Sequence, residues 1–470
     1  MEESNTKDII DTKDIIDIKE DDEDYTEEKH ENTFPHYHKS HDLFKKYKEL
    51  KNSVIVTEGL KYDYKLNTNN NSIPTPYKEI IRFHIICGLN DIFQSKFNNY
   101  NDLFKNNSCK LIELINRWCW HQYNNPASID DVIPYLTDNS YDYTRFLDDL
   151  NYILETKDLI KMDDDIMIKL KETVKNYLKV EYLTYKTREN VEISILRETI
   201  EKKIKLTCMY KTNTYQVFVH YKVYNRLKQK LIIYSKDYNI ISSCKGNIDD
   251  LLDQYIFCLV FRYSHMDSGN QQLAIHQLIK ELYKKCGVNF ELFGSGINTL
   301  SDNYCSLFYS IEKYFGSIGN FFDIEINSGV YWCNPPYDDT IMTNAVNKLV
   351  KLLEDKSKQV GFLITIPLWD KSTQERLVDT DNISRNFNKD TKSEDHKDFQ
   401  IYSRLKPYIK DELIIPKHRI PYFNYKKYTQ INAVNTYMLL VYNELPENIT
   451  IPLHKNFDII VALDKDNYFV

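Results

Sequence analysis

The chain has 470 residues, of which 42% are hydrophobic and 28% charged, a balance that excludes a wholly disordered or fibrous protein and leaves room for two or three ordinary domains. Its net charge of −8 is unevenly spread: residues 1–35 hold fourteen Asp/Glu against four Lys, a net of −10, so the other 435 residues carry about +2. The acidity belongs to a tail, and a nucleic-acid partner for the rest of the chain is not excluded.

No apolar run approaches the ~18 residues of a membrane span. Nine cysteines stand singly, with no Cys-x-x-Cys pair. Together these predict an intracellular protein with reduced thiols, no structural metal and no membrane partner.

In chain order, Thr6–Asp17 repeats Thr-Lys-Asp-Ile-Ile-Asp twice and runs into Glu20-Asp21-Asp22-Glu23-Asp24. Such a stretch buries too little apolar surface to offset its chain entropy, so 1–35 is read as a disordered acidic tail, a solvated spacer or an interaction arm. From 36 to 255 the pattern is mainly helical, with apolar residues at three- and four-residue spacing in Tyr77–Phe93, Leu103–Gln122, Tyr143–Leu159 and Asp165–Tyr185. An α-rich domain is expected there. Within it, Glu201–Lys236 holds nine Lys/Arg against one Glu, interleaved with Tyr210, Tyr215, Tyr221, Tyr224 and Tyr234. That mixture suits phosphate neutralisation with base stacking, and equally a solvated amphipathic face over core tyrosines.

From 256 to 470 short apolar runs alternate with helices. Val288–Phe293, Val330–Cys333, Val360–Ile366, Leu413–Ile415 and Asn435–Tyr442 read as buried strands, and Gln271–Lys285 and Asn347–Glu354 as helices. Alternation of this kind predicts an α/β domain with a mostly parallel sheet. The polar stretch from Trp369 to Gln400 interrupts it as a loop excursion.

Chemistry concentrates where Val330-Tyr331-Trp332-Cys333 ends in Asn334-Pro335-Pro336-Tyr337, at the carboxyl end of a strand, where open α/β sheets hold ligands. An exocyclic amino nitrogen is a poor nucleophile because its lone pair is delocalised into the ring. The Asn334 side-chain oxygen and the Pro335 carbonyl can each accept one of its N–H bonds, the two prolines fix φ, and the Tyr337 ring can stack on the base. A plain Asn-Pro turn is the competing reading.

Upstream, Asn289–Gly296 reads as a strand running into a glycine turn, in which Gly294 and Gly296 allow close approach of a nucleoside cofactor. Asp323 is either a ribose-binding carboxylate or a surface one. Between Phe293 and Asn334 the chain is short for two βα units, so the connection must be compressed.

These residues resemble the phosphorylated-CTD-interacting-factor type of cap-specific adenosine N6-methyltransferases. Matching blocks follow in order: Gly287-Val288-Asn289-Phe290-Glu291, Tyr304-Cys305-Ser306, Tyr314-Phe315-Gly316-Ser317 and Asn334-Pro335-Pro336-Tyr337, with Ile366-Pro367-Leu368-Trp369 and Asn435-Thr436 beyond them. The similarity covers roughly 255–445.

The resemblance implies a Rossmann-like class I methyltransferase domain preceded by an α-rich helical domain, with S-adenosylmethionine as cofactor and capped RNA as partner, methylated at the cap-adjacent adenosine. It implies that Asn334 to Asp338 contact the methyl donor and the target adenine, Asn334, Pro335 and Asp338 on the cofactor side, beside Glu291, Phe293, Gly294, Ser295 and Asp323 as the expected cofactor-binding residues upstream. Asp339, Trp369, Asp370 and Lys371 would face the capped end, where a Trp suits a cationic methylguanine and is otherwise a core residue closing the sheet.

Leu368 and Asp338 depart from the family's pattern, and Tyr337 replaces its more usual Phe. None of the four tryptophans lies in the first hundred residues, so the family's WW module is expected to be absent and recruitment through a polymerase tail is not expected. Alternatives are an amino-methyltransferase on internal RNA or DNA adenine, and a catalytically silent RNA-binding relative.

Overall fold

The computed structural model describes residues 62–65, 73–97, 164–187, 191, 193–242, 244, 246–265, 273–275, 280, 284, 287–337, 339–367, 401–415, 422–425, 429–431 and 436–444. The acidic tail, the expected helices Leu103–Gln122 and Tyr143–Leu159 and the Trp369–Gln400 stretch lie outside these residues.

Two packed bodies account for the described chain. The first begins with the short strand β1 (Asp63–Lys65), which is lent to the second body, and continues with α1 (Pro76–Phe97) and α2 (Asp164–Thr187). Then comes an antiparallel meander of β2 (Ile195–Ile200), β3 (Lys203–Tyr210) and β4 (Asn213–His220). Helices α3 (Tyr221–Tyr234) and α4 (Ile248–His265) complete it. Helix α4 is buried almost all round, Leu252 through Phe261 lying largely in the interior, which makes it the axis of this body.

The meander corrects the expectation of helix here. Each hairpin closes through two residues, Glu201-Lys202 and Lys211-Thr212, and Glu201 and Lys211 take φ of 52° and 56°. Two-residue hairpin loops need positive φ, usually from Asn or Gly. Without those residues the turn signal was missing, although Ile204, Leu206 and Cys208 alternate inward as a strand requires.

The second body is a seven-stranded sheet. Its strands are β6 (Phe290–Glu291), β7 (Asn303–Tyr304), β8 (Glu325–Cys333), β9 (Gln359–Pro367), β10 (Ile409–Ile415) and β13 (Thr436–Tyr442), with β1 added on β8. The order is β10-β13-β9-β8-β6-β7. Strands β7, β6, β8 and β9 run parallel, and β13 is reversed between β9 and β10. Near-continuous burial along β9 fits a parallel strand covered on both faces. Helix α6 (Asp339–Glu354) packs Met342, Ala345, Val346, Leu349 and Leu353 onto it at helical spacing.

The compressed connection between Phe293 and Asn334 consists of the two-residue β7, a single helical turn α5 (Tyr309–Glu312) and one parallel bridge from Tyr304 to Ser317. A second correction concerns Gln271–Lys285, expected as one helix. Leu273–Ile275 is instead a strand, β5, which pairs antiparallel with β11 (Tyr422–Asn424), itself paired with β12 (Thr429–Ile431), while Lys280 and Lys284 are helical as expected. Backbone pairing with a segment far along the chain overrides local helical spacing.

Residue 255, the expected domain boundary, falls inside α4, and the first core extends into the second body through Ile297, Phe308, Ile311, Tyr314 and Phe315. Helix α3 makes the join with cations. Lys230 Nζ donates to the Ser301 carbonyl at 3.1 Å and lies 5.0 Å from the Tyr304 ring centre, and burial pushes its ammonium down to about 7. Arg226 donates to the Ile297 carbonyl. These two residues of the basic stretch are thus structural, as is Tyr224, whose hydroxyl donates to Asp253 at 2.5 Å.

Candidate functional site

Strands β6 and β8 lie side by side, with Glu291 opposite Trp332 and the Leu292 N–H donating to the Trp332 carbonyl at 2.7 Å. From β6 the chain departs to β7 on one side, and β8 enters on the other. Their carboxyl ends therefore flank the point where strand order reverses, the place where open α/β sheets form a ligand crevice. The loop 292–296 and the loop 334–337 line it together.

The glycine turn is built from within. The N–H groups of Gly294, Ser295 and Gly296 donate to the Cys305 carbonyl at 2.8 Å, to Asn298 Oδ1 at 2.9 Å and to Glu312 Oε2 at 2.8 Å. A Cβ on Gly296 would stand 3.2 Å from Glu312, Leu227 and Leu259, so this glycine serves close packing. Glu291 is buried, and both of its oxygens accept from Lys280 Nζ, at 2.8 and 3.1 Å, while the same ammonium reaches the Asn298 carbonyl at 2.9 Å. Glu291 and Ser295 shape the turn, whereas half-exposed Phe293 and Gly294 present its surface to the crevice.

Lys280 was not singled out in the sequence. Its only signal is that a buried carboxylate on a strand requires a cation.

Across the crevice, Pro335 is buried, and Asn334, Pro336 and Tyr337 are half-exposed. The Tyr337 hydroxyl lies 3.3 Å from Asn334 Oδ1 and 2.5 Å from the Tyr422 hydroxyl, and the two tyrosine rings meet edge to face with centres 6.2 Å apart. Burial raises the phenol of Tyr337 well above its ordinary range and pushes that of Tyr422 up to about 12, so both stay protonated as hydrogen-bond donors.

Asp323 lies in the exposed turn before β8, its N–H bonded to the Asn320 carbonyl at 3.0 Å, next to Phe321, which packs against Phe293 at 5.1 Å. Lys348 of α6 holds that turn by the carbonyls of Phe321, Phe322 and Ile324. Asp339 begins α6 on the chain just after the Asn-Pro-Pro-Tyr loop. Asp338, Trp369, Asp370 and Lys371 lie outside the described residues. Among the described residues no His, Cys, Asp and Glu cluster could hold a metal ion, and no helix is long and apolar enough to cross a membrane.

Fold and site together define an α/β protein with a parallel-rich sheet whose strand order reverses between β6 and β8. Comparison with known proteins carries this further. The family model described as "Phosphorylated CTD interacting factor 1 WW domain" matches residues 233–399. The mRNA (2'-O-methyladenosine-N(6)-)-methyltransferases of Mus musculus and Homo sapiens are each 34% identical to this chain over 122 residues, which is 24% of this chain. The match spans 17% of the length of those relatives.

The match to the family model overturns the expectation that the WW module is absent, and with it the argument against recruitment through a polymerase tail. The lack of tryptophan in the first hundred residues does not bear on a module that lies further along the chain. The matched segment begins at 233 and carries Trp332 and Trp369.

Proposed function

We propose that this protein is an S-adenosylmethionine-dependent methyltransferase of the class I type, acting on the N6 amino group of the adenosine next to an mRNA cap. The carrying observation is the position of Asn334-Pro335-Pro336-Tyr337, at the carboxyl end of β8 and directly beside the glycine turn that ends β6. The reversed strand β13 between β9 and β10 supports the class I reading, and the names of the two relatives support the substrate.

Phe293 and Gly294 fit a nucleoside cofactor. One offers an aromatic face, and the other has no side chain to fill the crevice. When bound, the cofactor supplies an electrophilic methyl group on a sulfonium. Asn334 Oδ1 and the Pro335 carbonyl accept the two N–H bonds of the amino group, drawing the nitrogen toward tetrahedral geometry and aiming its lone pair at the methyl. Tyr337, half-exposed, gives the base a stacking face. The nitrogen loses its proton readily once it is cationic, so positioning is the main catalytic contribution of these side chains. By the same resemblance, Asp338 completes the cofactor contacts and Asp339, Trp369, Asp370 and Lys371 the contacts to the capped end.

The test is methyl transfer by the full chain to three RNAs: capped with a first adenosine, capped with a first guanosine, and uncapped. Methylation confined to the first, with the label recovered as N6-methylated adenosine after digestion to nucleosides, is the expected result. Equal labelling of uncapped RNA would instead mean an internal adenine methyltransferase. Absence of labelling together with absence of cofactor binding would leave a binding protein.

A further inference from the structure

Asn334 does not stand alone at the crevice. From its side-chain oxygen a file of hydroxyls runs inward: Tyr337 at 3.3 Å, then Tyr422 2.5 Å beyond, then Thr436 Oγ1 2.7 Å beyond that. Tyr422 and Thr436 are buried. They come from different elements, Tyr422 from β11 in the small sheet and Thr436 from the first position of β13, opposite Pro367 at the end of β9.

Between the hydroxyls the file can run either way; with Asn334 Oδ1 facing Tyr337 it runs outward, each hydroxyl donating toward the crevice. A carboxamide oxygen only accepts, so the Tyr337 hydroxyl donates to it. Having spent its one proton there, Tyr337 accepts from Tyr422, and Tyr422 in turn accepts from Thr436.

We propose that Tyr422 and Thr436 are positioning residues for the amino-methylation site, acting through the Tyr337 hydroxyl to hold the Asn334 carboxamide with its oxygen toward the crevice. A carboxamide oxygen has two lone pairs. Tyr337 takes one, which leaves the other for a substrate N–H. With the amide turned over, Nδ2 would meet the substrate amino group donor to donor, and the nucleophile would have no acceptor. With the file running from Thr436 toward Asn334, the Tyr337 proton is presented to the carboxamide oxygen, and that is the rotamer competent for catalysis. It also explains why a tyrosine serves at 337, where a phenylalanine would stack equally well. The proposal rests on the methyltransferase reading above.

The test compares Tyr422→Phe, Thr436→Val and Thr436→Ser with the wild-type chain in the methyl-transfer assay, with thermal melting run alongside. Both rings stay in place in Tyr422→Phe, so only the hydroxyl and its two hydrogen bonds are removed. The expected loss in kcat is about tenfold for Tyr422→Phe and for Thr436→Val, the size of one neutral hydrogen bond, with KM for RNA unchanged. Thr436→Ser restores the hydroxyl and should recover most of the rate.

A Tyr337→Phe, Tyr422→Phe double variant should be no slower than the slower single variant, because both cut the same file. Wild-type kcat in Tyr422→Phe and Thr436→Val, or multiplying losses in the double variant, would overturn the proposal. A loss confined to KM or to melting temperature would do the same. The underlying reading is judged separately, by whether the wild-type chain methylates capped RNA and Asn334→Ala does not.

Discussion

Arg262 and Glu79 stand 183 residues apart in the chain and form a buried two-bond ion pair: Nη2 donates to Oε1 at 2.5 Å and Nε to Oε2 at 3.0 Å. Arg82 joins at 2.6 Å, and Arg262 also donates to Ser310 at 2.9 Å. One carboxylate thus pins α1 to α4 and reaches α5 behind the glycine turn. Glu79→Ala removes the carboxylate that two buried guanidinium groups share. It should cost about 3–5 kcal/mol in urea unfolding, and a midpoint equal to that of wild type would show that the pair contributes nothing net.

Asn334→Ala removes one of two amino-group acceptors without touching the core. Turnover of capped RNA should fall about 10²–10³-fold, the usual loss for one preorganised electrostatic contact. The melting curve should coincide with wild type. Retained turnover would take the catalytic role away from this residue.

Gly329 lies inside β8 with φ of 126°, and a Cβ there would come within 2.7 Å of the Tyr62 ring. Tyr62 is held in that place through its hydroxyl, which lies 2.7 and 3.0 Å from the Gly287 and Val330 carbonyls, sharing its one proton between them, and accepts the Asn289 N–H at 2.7 Å. Gly329→Ala therefore meets both a backbone conformation unfavourable to L side chains and a ring that cannot retreat. A loss on the order of 2–4 kcal/mol is expected, read as a lower melting temperature.

His220 caps α3 by accepting the Lys222 N–H on Nδ1 at 3.3 Å. Burial, followed by Lys222, Lys202 and Lys203, lowers its pKa from 6.5 to about 4. Because the folded state resists protonation more than the unfolded one, the unfolded chain binds the extra proton between those two values. Stability present above pH 6.5 is accordingly lost as pH falls toward 4. Protonation also turns the capping nitrogen into a donor. His220→Ser keeps a cap and removes the titration, so its urea midpoint should fall less than that of wild type between pH 7 and 4. Parallel curves would refute the assignment.

Much of the second body was legible. Apolar runs at Val330–Cys333 and Val360–Ile366 are long enough to demand burial on both faces, and the second half of α6 was read as helix at Asn347–Glu354. The meander was hidden because Glu201 and Lys211 occupy turn positions that glycine or asparagine usually marks. At the site, the glycine turn was visible, but the commitment of Glu291 to Lys280 was not, since no spacing rule links a strand carboxylate to that lysine.

By itself the sequence determined β6, β8, β9, β10 and β13 of the sheet and the rigid acceptor loop after β8, because hydrophobic periodicity and proline act locally; the short β1 and β7 carry no such signal. Only the tertiary structure decided what stands behind that loop. Tyr422 reaches Tyr337 across 85 residues because β11 pairs with β5 and β13 inserts reversed between β9 and β10. Pairings between segments so far apart depend on the packing of the whole domain, and no local pattern in the chain records them.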